Sequence, residues 1–212
     1  MKKLVIKTVV IVLSIIVGVL AITFGILCST NPKAIAKGFE NLGNYSASKY
    51  FYEMQYDKTE SIDDLLVLID NAYGHNDKTS LQSYLGELIS HNKFKKFCAS
   101  KNATILSSDM QTEEYYSAFY ATVLFENGKV DSAISFCRSY VDVMGYTKFN
   151  PFTELIKSKL IVLSPEQKNQ IKTALNDYLI SIENDLGTEQ KYQQINKTAQ
   201  ISLINNDINK LG

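Results

Sequence analysis

Apolar and polar positions follow two regimes along this chain. From Thr8 to Cys28 the sequence runs 21 residues without a charge (TVVIVLSIIVGVLAITFGILC), and its apolar positions have no polar face opposite them. At about 1.5 Å per helical residue that run spans roughly 31 Å, the thickness of a bilayer hydrocarbon core. It predicts a transmembrane helix. Beyond it, apolar residues recur at three- and four-residue spacings, the period of helices that bury one stripe.

The three prolines punctuate this second regime. Asn31-Pro32, Asn150-Pro151 and Ser164-Pro165 each place a good capping residue ahead of a proline whose missing N–H costs nothing at the first helical position, so each reads as a helix start. Helices are expected over Pro32 to Leu42 and Tyr45 to Gln55, with Gly43 and Asn44 as the turn. Ser61 and Asp64 open another, whose apolar set is Ile62, Leu65, Leu66, Ile69 and Tyr73 and which ends at Gly74. Leu81, Tyr84, Leu85, Leu88 and Ile89 mark the next, continued or followed by Phe94, Phe97 and Cys98. Lys101 to Met110 is polar and reads as a loop.

Thr112, with Glu113 and Glu114 where a helix dipole favours negative charge, starts a helix closed by Glu126-Asn127-Gly128. Val130, Ala133, Ile134, Cys137 and Val141 form its return, stopping near Gly145. From Pro165, the stripe Ile171, Leu175, Tyr178, Leu179, Ile182 and Leu186 leads to Gly187. A second long helix, polar and rich in Asn and Gln, then runs from about Thr188 to Lys210. Too few prolines and glycines remain for a turn-rich β sandwich, and the β-like run Leu160 to Leu163 is isolated. The expected class is all-α, in three parts: an anchor over 1–30, a helical domain over 31–145 and a helical hairpin over 146–212.

Charge sharpens the picture. The 22 cations and 22 anions cancel, but Lys2, Lys3 and Lys7 precede the apolar run, so the remainder is acidic by three. A short basic N-terminus favours staying inside while the rest crosses, giving a cytoplasmic N-terminus and an extracytoplasmic C-terminal domain. A cleaved signal ending near Ala34-Ile35-Ala36 is the competing reading, but a signal's apolar region is about 7 to 15 residues, shorter than this one. A lipoprotein site at Cys28 would want a small residue where Leu27 stands. The ratio of 21 Lys to one Arg suggests an AT-rich bacterial coding sequence, which makes the sequons at Asn44, Asn102 and Asn196 accidental. Three cysteines form no disulfide scaffold and, with His75 and His91, no zinc spacing.

Glu113 to Gly145 resembles a tetratricopeptide repeat, a helical pair of about 34 residues. With Gly128 as the inter-helix glycine, Ala121 and Leu124 fall on the family's first-helix positions and Val130, Ala133 and Cys137 on its second-helix positions. A second copy lies over Pro32 to Tyr56, where Gly43 takes the turn, Ala36 and Phe39 the first helix, and Tyr45, Ser48 and Tyr52 the second. Ser117 stands where the family has tryptophan and Gly145 where it ends on proline, so the repeats are irregular. The segment Ile62 to Ile89 reads as a hairpin between the two copies. The resemblance implies stacked hairpins that bind protein or peptide partners.

Chemistry is sparse. No HExxH, GxSxG, GxxxxGK[ST] or GxGxxG occurs, so neither catalysis, cofactor nor metal binding is expected. Asp63-Asp64 and Glu113-Glu114 sit in first helical turns, where dipole complementarity explains them. His75 falls in a turn, and His91 follows an apolar helix end. Lys93-Phe94-Lys95-Lys96-Phe97 reads as a helix with one core face and is too short for a nucleic-acid site. Tyrosine is the one unusual abundance, with 13 residues. Most are expected to be core residues with wet hydroxyls. Tyr45, Tyr50, Tyr52, Tyr115 and Tyr116 are the candidates for a partner-binding surface. The sequence therefore leads to a single-pass membrane protein, anchored in the bilayer by residues 8–28, that acts as a protein-binding scaffold or adaptor at the cell envelope. Its alternative is a helical ligand sensor or envelope enzyme with an unrecognised pocket.

Overall fold

The computed structural model describes residues 2–101, 110–184 and 191–212, with side chains from residue 10 onward and, in the last segment, from residue 196. Among the described residues it contains eleven helices and no strand, so the all-α expectation holds. The Asn102 sequon, the Gly187 turn, the helix start near Thr188 and the loop expected after Lys101 lie outside them, apart from Met110, which is buried. The chain divides into two compact units, Met1–Asp77 and Lys78–Gly212.

The first unit begins with α1 (Lys2–Thr30), which includes the apolar run. Val10–Thr30 has a mean hydropathy of 2.9, and α1 is the one described helix long and apolar enough to cross a membrane. From residue 10 onward its hydroxyls are satisfied within the helix. Ser14 donates to the Val10 carbonyl at 2.9 Å, Thr23 to Val19 at 2.8 Å and Thr30 to Ile26 at 2.8 Å, as hydrocarbon surroundings would require. Lys58 donates its ammonium to the Ser29 carbonyl, placing a cation at the helix C-terminus.

Three shorter helices follow: α2 (Pro32–Asn41), α3 (Tyr45–Thr59) and α4 (Ile62–Gly74). Each carries the cap that local sequence predicts. Asn31 accepts from Ala34 N–H at 3.2 Å, Asn44 from Ala47 N–H at 3.1 Å and Ser61 from Asp64 N–H at 3.1 Å. Helices α2 and α3 reverse at Gly43, whose φ of +70° suits glycine. Fully buried Ala36 and Ser48 allow close packing between them, and Phe39 stacks on Phe51. On α4 the buried stripe is Ile62, Leu65, Leu68, Ile69 and Ala72, while Tyr73 is exposed. The register thus turns by part of a residue from the one expected, because Leu68 and Ala72 continue the three- and four-residue steps from Leu65.

The second unit holds α5 (Lys78–Ser90), α6 (Phe94–Lys101), α7 (Thr112–Glu126), α8 (Val130–Met144), α9 (Pro151–Lys159), α10 (Pro165–Asn184) and α11 (Lys191–Lys210). Contacts run between alternate helices: α5 touches α7, α7 touches α9 and α9 touches α11, while α8 touches α10. Consecutive helices pack as well, α7 on α8 and α10 on α11. Gly128, at φ +75°, reverses α7 into α8, and Ala121, Ala133 and Cys137 are fully buried. The core draws Phe152, Leu155 and Ile156 from α9, Ile171 and Leu175 from α10, and Ile204 from α11.

Helix starts again follow local chemistry. Asn150 caps α9 by accepting from Phe152 and Thr153 N–H, and Ser164 and Gln167 cap α10 reciprocally at 3.2 and 2.9 Å. At α7 the cap is Gln111 instead of Thr112: the Glu114 carboxylate accepts from Gln111 N–H at 2.9 Å, and Thr112 is already helical and buried. Leu160 to Leu163 is a turn, not a strand.

Candidate functional site

Beside α8, between it and the α5–α6 turn, lies a groove of about 420 Å³. Its lining is mostly apolar: Ile89 at the end of α5, Phe94 on α6, and Phe136, Tyr140, Val143 and Met144 along α8, with Ser90, Asn92, Ser117 and Ser139 among them. Val143 is 75% exposed and stands at the rim. His91, Lys95 and Glu113 add charge or polarity at the edges. The His91 ring is oriented by its own turn, Nδ1 accepting from Lys93 N–H at 3.1 Å. Phe136 is fixed from behind by the edge of Tyr120, ring centroids 4.9 Å apart.

Two ionisable groups near the groove are held protonated. Burial, helped by Glu114 and Glu113, pushes the Tyr140 phenol well above its ordinary value. Burial and the Glu113 carboxylate push the Cys98 thiol up to about 11. A thiol so placed is a poor nucleophile, since the thiolate is the reactive form. The groove therefore offers apolar surface and the protonated Tyr140 hydroxyl. A second recess, about 640 Å³, lies between α8 and α10 and is lined by Asp131, Arg138 and Asp177. Arg138 is engaged there: Nε donates to Asp142 at 3.0 Å, and the guanidinium lies 4.7 Å from the Tyr178 ring.

The five tyrosines singled out from sequence take different places. Tyr45 is half-buried, stacks on His75 at 4.5 Å and donates its hydroxyl to Asp77 at 2.7 Å. Tyr52 is buried, with its hydroxyl on Glu40 at 2.8 Å. That bond and the Lys37 ammonium hold the Glu40 carboxyl below its usual range, the Lys37 bond being the larger cause. Tyr50 alone of the five is exposed, at 57%. Tyr115 and Tyr116 meet edge to face at 5.1 Å, and Tyr116 packs on Phe94 and Phe97 at 6.4 Å each. Tyr116 thus supports the groove from below through Phe94. The Tyr45, Tyr50 and Tyr52 group belongs to the first unit and the Tyr115 and Tyr116 pair to the second.

Phe136, Tyr140 and Val143 were not among the expected residues. Their signal was present as a second apolar stripe on α8, at spacings of four and three, beside the core stripe Ala133, Cys137 and Val141. Among the described residues, no group of three or more His, Cys, Asp or Glu is placed to hold a metal ion. No family model, curated protein or solved structure matches the chain.

Proposed function

We propose that this is a membrane-anchored, non-catalytic protein whose tetratricopeptide-like helical hairpins hold a protein partner at the cell envelope. Helix α1 is the anchor, with its lysine-bearing end in the cytoplasm and the remaining helices across the bilayer. Support for the anchor is that residues 10–27 are exposed throughout, an apolar cylinder that none of the other described residues covers. Support for hairpin stacking is the alternate-helix register of the second unit, together with the positive-φ glycines Gly43 and Gly128 at two reversals.

The observation that carries partner binding is the groove beside α8, with a largely apolar lining, a Val143 rim and Lys95 and Glu113 at its edges. Such a groove suits an amphipathic segment of another protein. A photoreactive phenylalanine analogue placed at Val143 in the full chain, in intact cells, should give discrete higher-mass adducts that the same analogue at Tyr73 does not. Equal labelling at both positions, or adducts at neither, would remove the groove from the proposal. The groove volume also falls within the range of small-molecule sites, about 300–1,000 Å³, which keeps a ligand-sensing reading. That reading expects no adduct at Val143 and a ligand-dependent rise in melting temperature.

A further inference from the structure

Among the described residues, the most exposed large apolar side chain is Ile161, at 98%, and its neighbour Val162 is 69% exposed. Both sit on the turn between α9 and α10. The turn is pinned from within, because Leu163 is buried in the core and Leu160 packs against that core. Val162 N–H and Leu163 N–H both donate to the Lys159 carbonyl, at 2.9 and 3.0 Å. Ile161 and Val162 are thus held outward by an ordered turn whose other two leucines face inward.

The surrounding charge is opposite to that of the rest of the exported region. Residues 157–172 contain four lysines and one glutamate, whereas the chain after the apolar run is acidic by three. Lys157 and Lys159 each touch one carboxylate, Glu154 and Glu126. Beside the turn, Leu163, Pro165, Lys168, Lys172 and Leu211 line a recess of about 350 Å³. Lys172 donates to the Gly212 carbonyl at 3.1 Å there. An apolar turn flanked by lysines on both sides in sequence is the pattern that enters the interfacial layer of an anionic bilayer, whereas the buried centres of protein interfaces are depleted in lysine.

We propose that the α9–α10 turn is a second, peripheral membrane contact. Ile161 and Val162 enter the headgroup layer, and Lys157, Lys168 and Lys172 meet the phosphates of anionic lipids. The proposal rests on the reading of α1 as an anchor, since a tethered chain meets a bilayer surface at high effective concentration.

The test uses the full chain, with Cys28→Ser and Cys98→Ser, reconstituted into vesicles that contain nitroxide-labelled lipid. An environment-sensitive fluorophore is attached at Ile161→Cys, with parallel labels at Val17→Cys in α1 and at exposed Tyr73→Cys. Cys137 is fully buried and stays unlabelled. With phosphatidylglycerol present, the label at 161 should be quenched several-fold more than the label at 73. That excess should fall in phosphatidylcholine alone and with Lys157→Gln, Lys168→Gln and Lys172→Gln combined. Quenching at 17 with none above the position-73 level at 161 overturns the turn and leaves the anchor standing. Quenching at 161 but not at 17 overturns the anchor and keeps the lipid-binding turn. Quenching at 161 that ignores both lipid charge and the lysines overturns the anionic-lipid assignment.

Discussion

Asp207 shows how a single polar side chain ties distant segments together. Its carboxylate is 2% exposed and accepts from Tyr146 at 2.9 Å, Thr153 at 2.6 Å and Lys210 at 2.7 Å. The backbone N–H of Tyr146 meanwhile donates to Gln200 at 2.9 Å, so the segment before α9 is fastened twice to α11. Deleting the carboxylate strands two hydroxyl donors, one of them buried. Asp207→Ala should therefore destabilise the protein by about 2–4 kcal/mol in denaturant titrations, against about 1–2 kcal/mol for Tyr146→Phe. Because the two share one bond, the double variant should lose less than the sum; strict additivity would show that the network is not coupled. Tyr52 teaches the same lesson in the first unit. Its hydroxyl is consumed by Glu40, so a Tyr52→Ala variant reports on packing, and Tyr50→Ala is the cleaner probe of a tyrosine surface.

At the scale of helices, two contacts have measurable signs. Asp64 opens α4 and accepts from Lys33 on α2 at 2.6 Å, from Thr59 at 2.8 Å and from Gln55 at 3.2 Å. Burial alone would raise its pKa, but these bonds outweigh it and the carboxyl lies below its usual range. A lowered folded pKa contributes stability above the unfolded value, about 3.9, and loses it as pH falls through the folded one. Asp64→Asn should therefore lower the melting temperature at pH 7, with the gap to wild type closing as pH drops below about 4. An unchanged gap at pH 3 would contradict the shift. In the other unit, a Cβ on Gly86 of α5 would come within 3.2 Å of the Tyr120 hydroxyl on α7. Gly86→Ala gains roughly 1 kcal/mol of helix propensity and meets that contact. In a Tyr120→Phe background the oxygen is gone, so the same substitution should be more stabilising there than in wild type. Equal effects in both backgrounds would mean that the two helices adjust freely.

For the whole molecule, the first question that the proposed anchor raises is which side of a membrane the helical units would occupy. The native thiols answer it poorly. Cys137 is fully buried, and Cys98, raised to about 11 by burial and Glu113, carries about 100-fold less thiolate at neutral pH than a thiol of pKa 9. Leu42 is 80% exposed and serves better. An impermeant maleimide should label Leu42→Cys in intact cells as fully as after permeabilisation if the units are extracytoplasmic. Labelling only after permeabilisation would reverse the proposed topology.

What the chain determined by itself was local. The uncharged run of α1, the three Asn-Pro and Ser-Pro helix starts, and the reversals at Gly43 and Gly128 depend on residues within a few positions of one another. Their chemistry is therefore visible in order along the sequence. The misplaced cap at α7 is the exception that fits, because Thr112 and Gln111 are adjacent and the choice fell to Glu114, which also accepts from Thr147 at 2.7 Å, 33 positions away. Tertiary structure decided the rest. It made Tyr52 a core residue and Tyr50 a surface one, divided the chain between Asp77 and Lys78, and gave the second stripe of α8 a groove to line. Periodicity shows that a helix has an apolar face, but only the packing of helices far apart in sequence decides whether that face is covered.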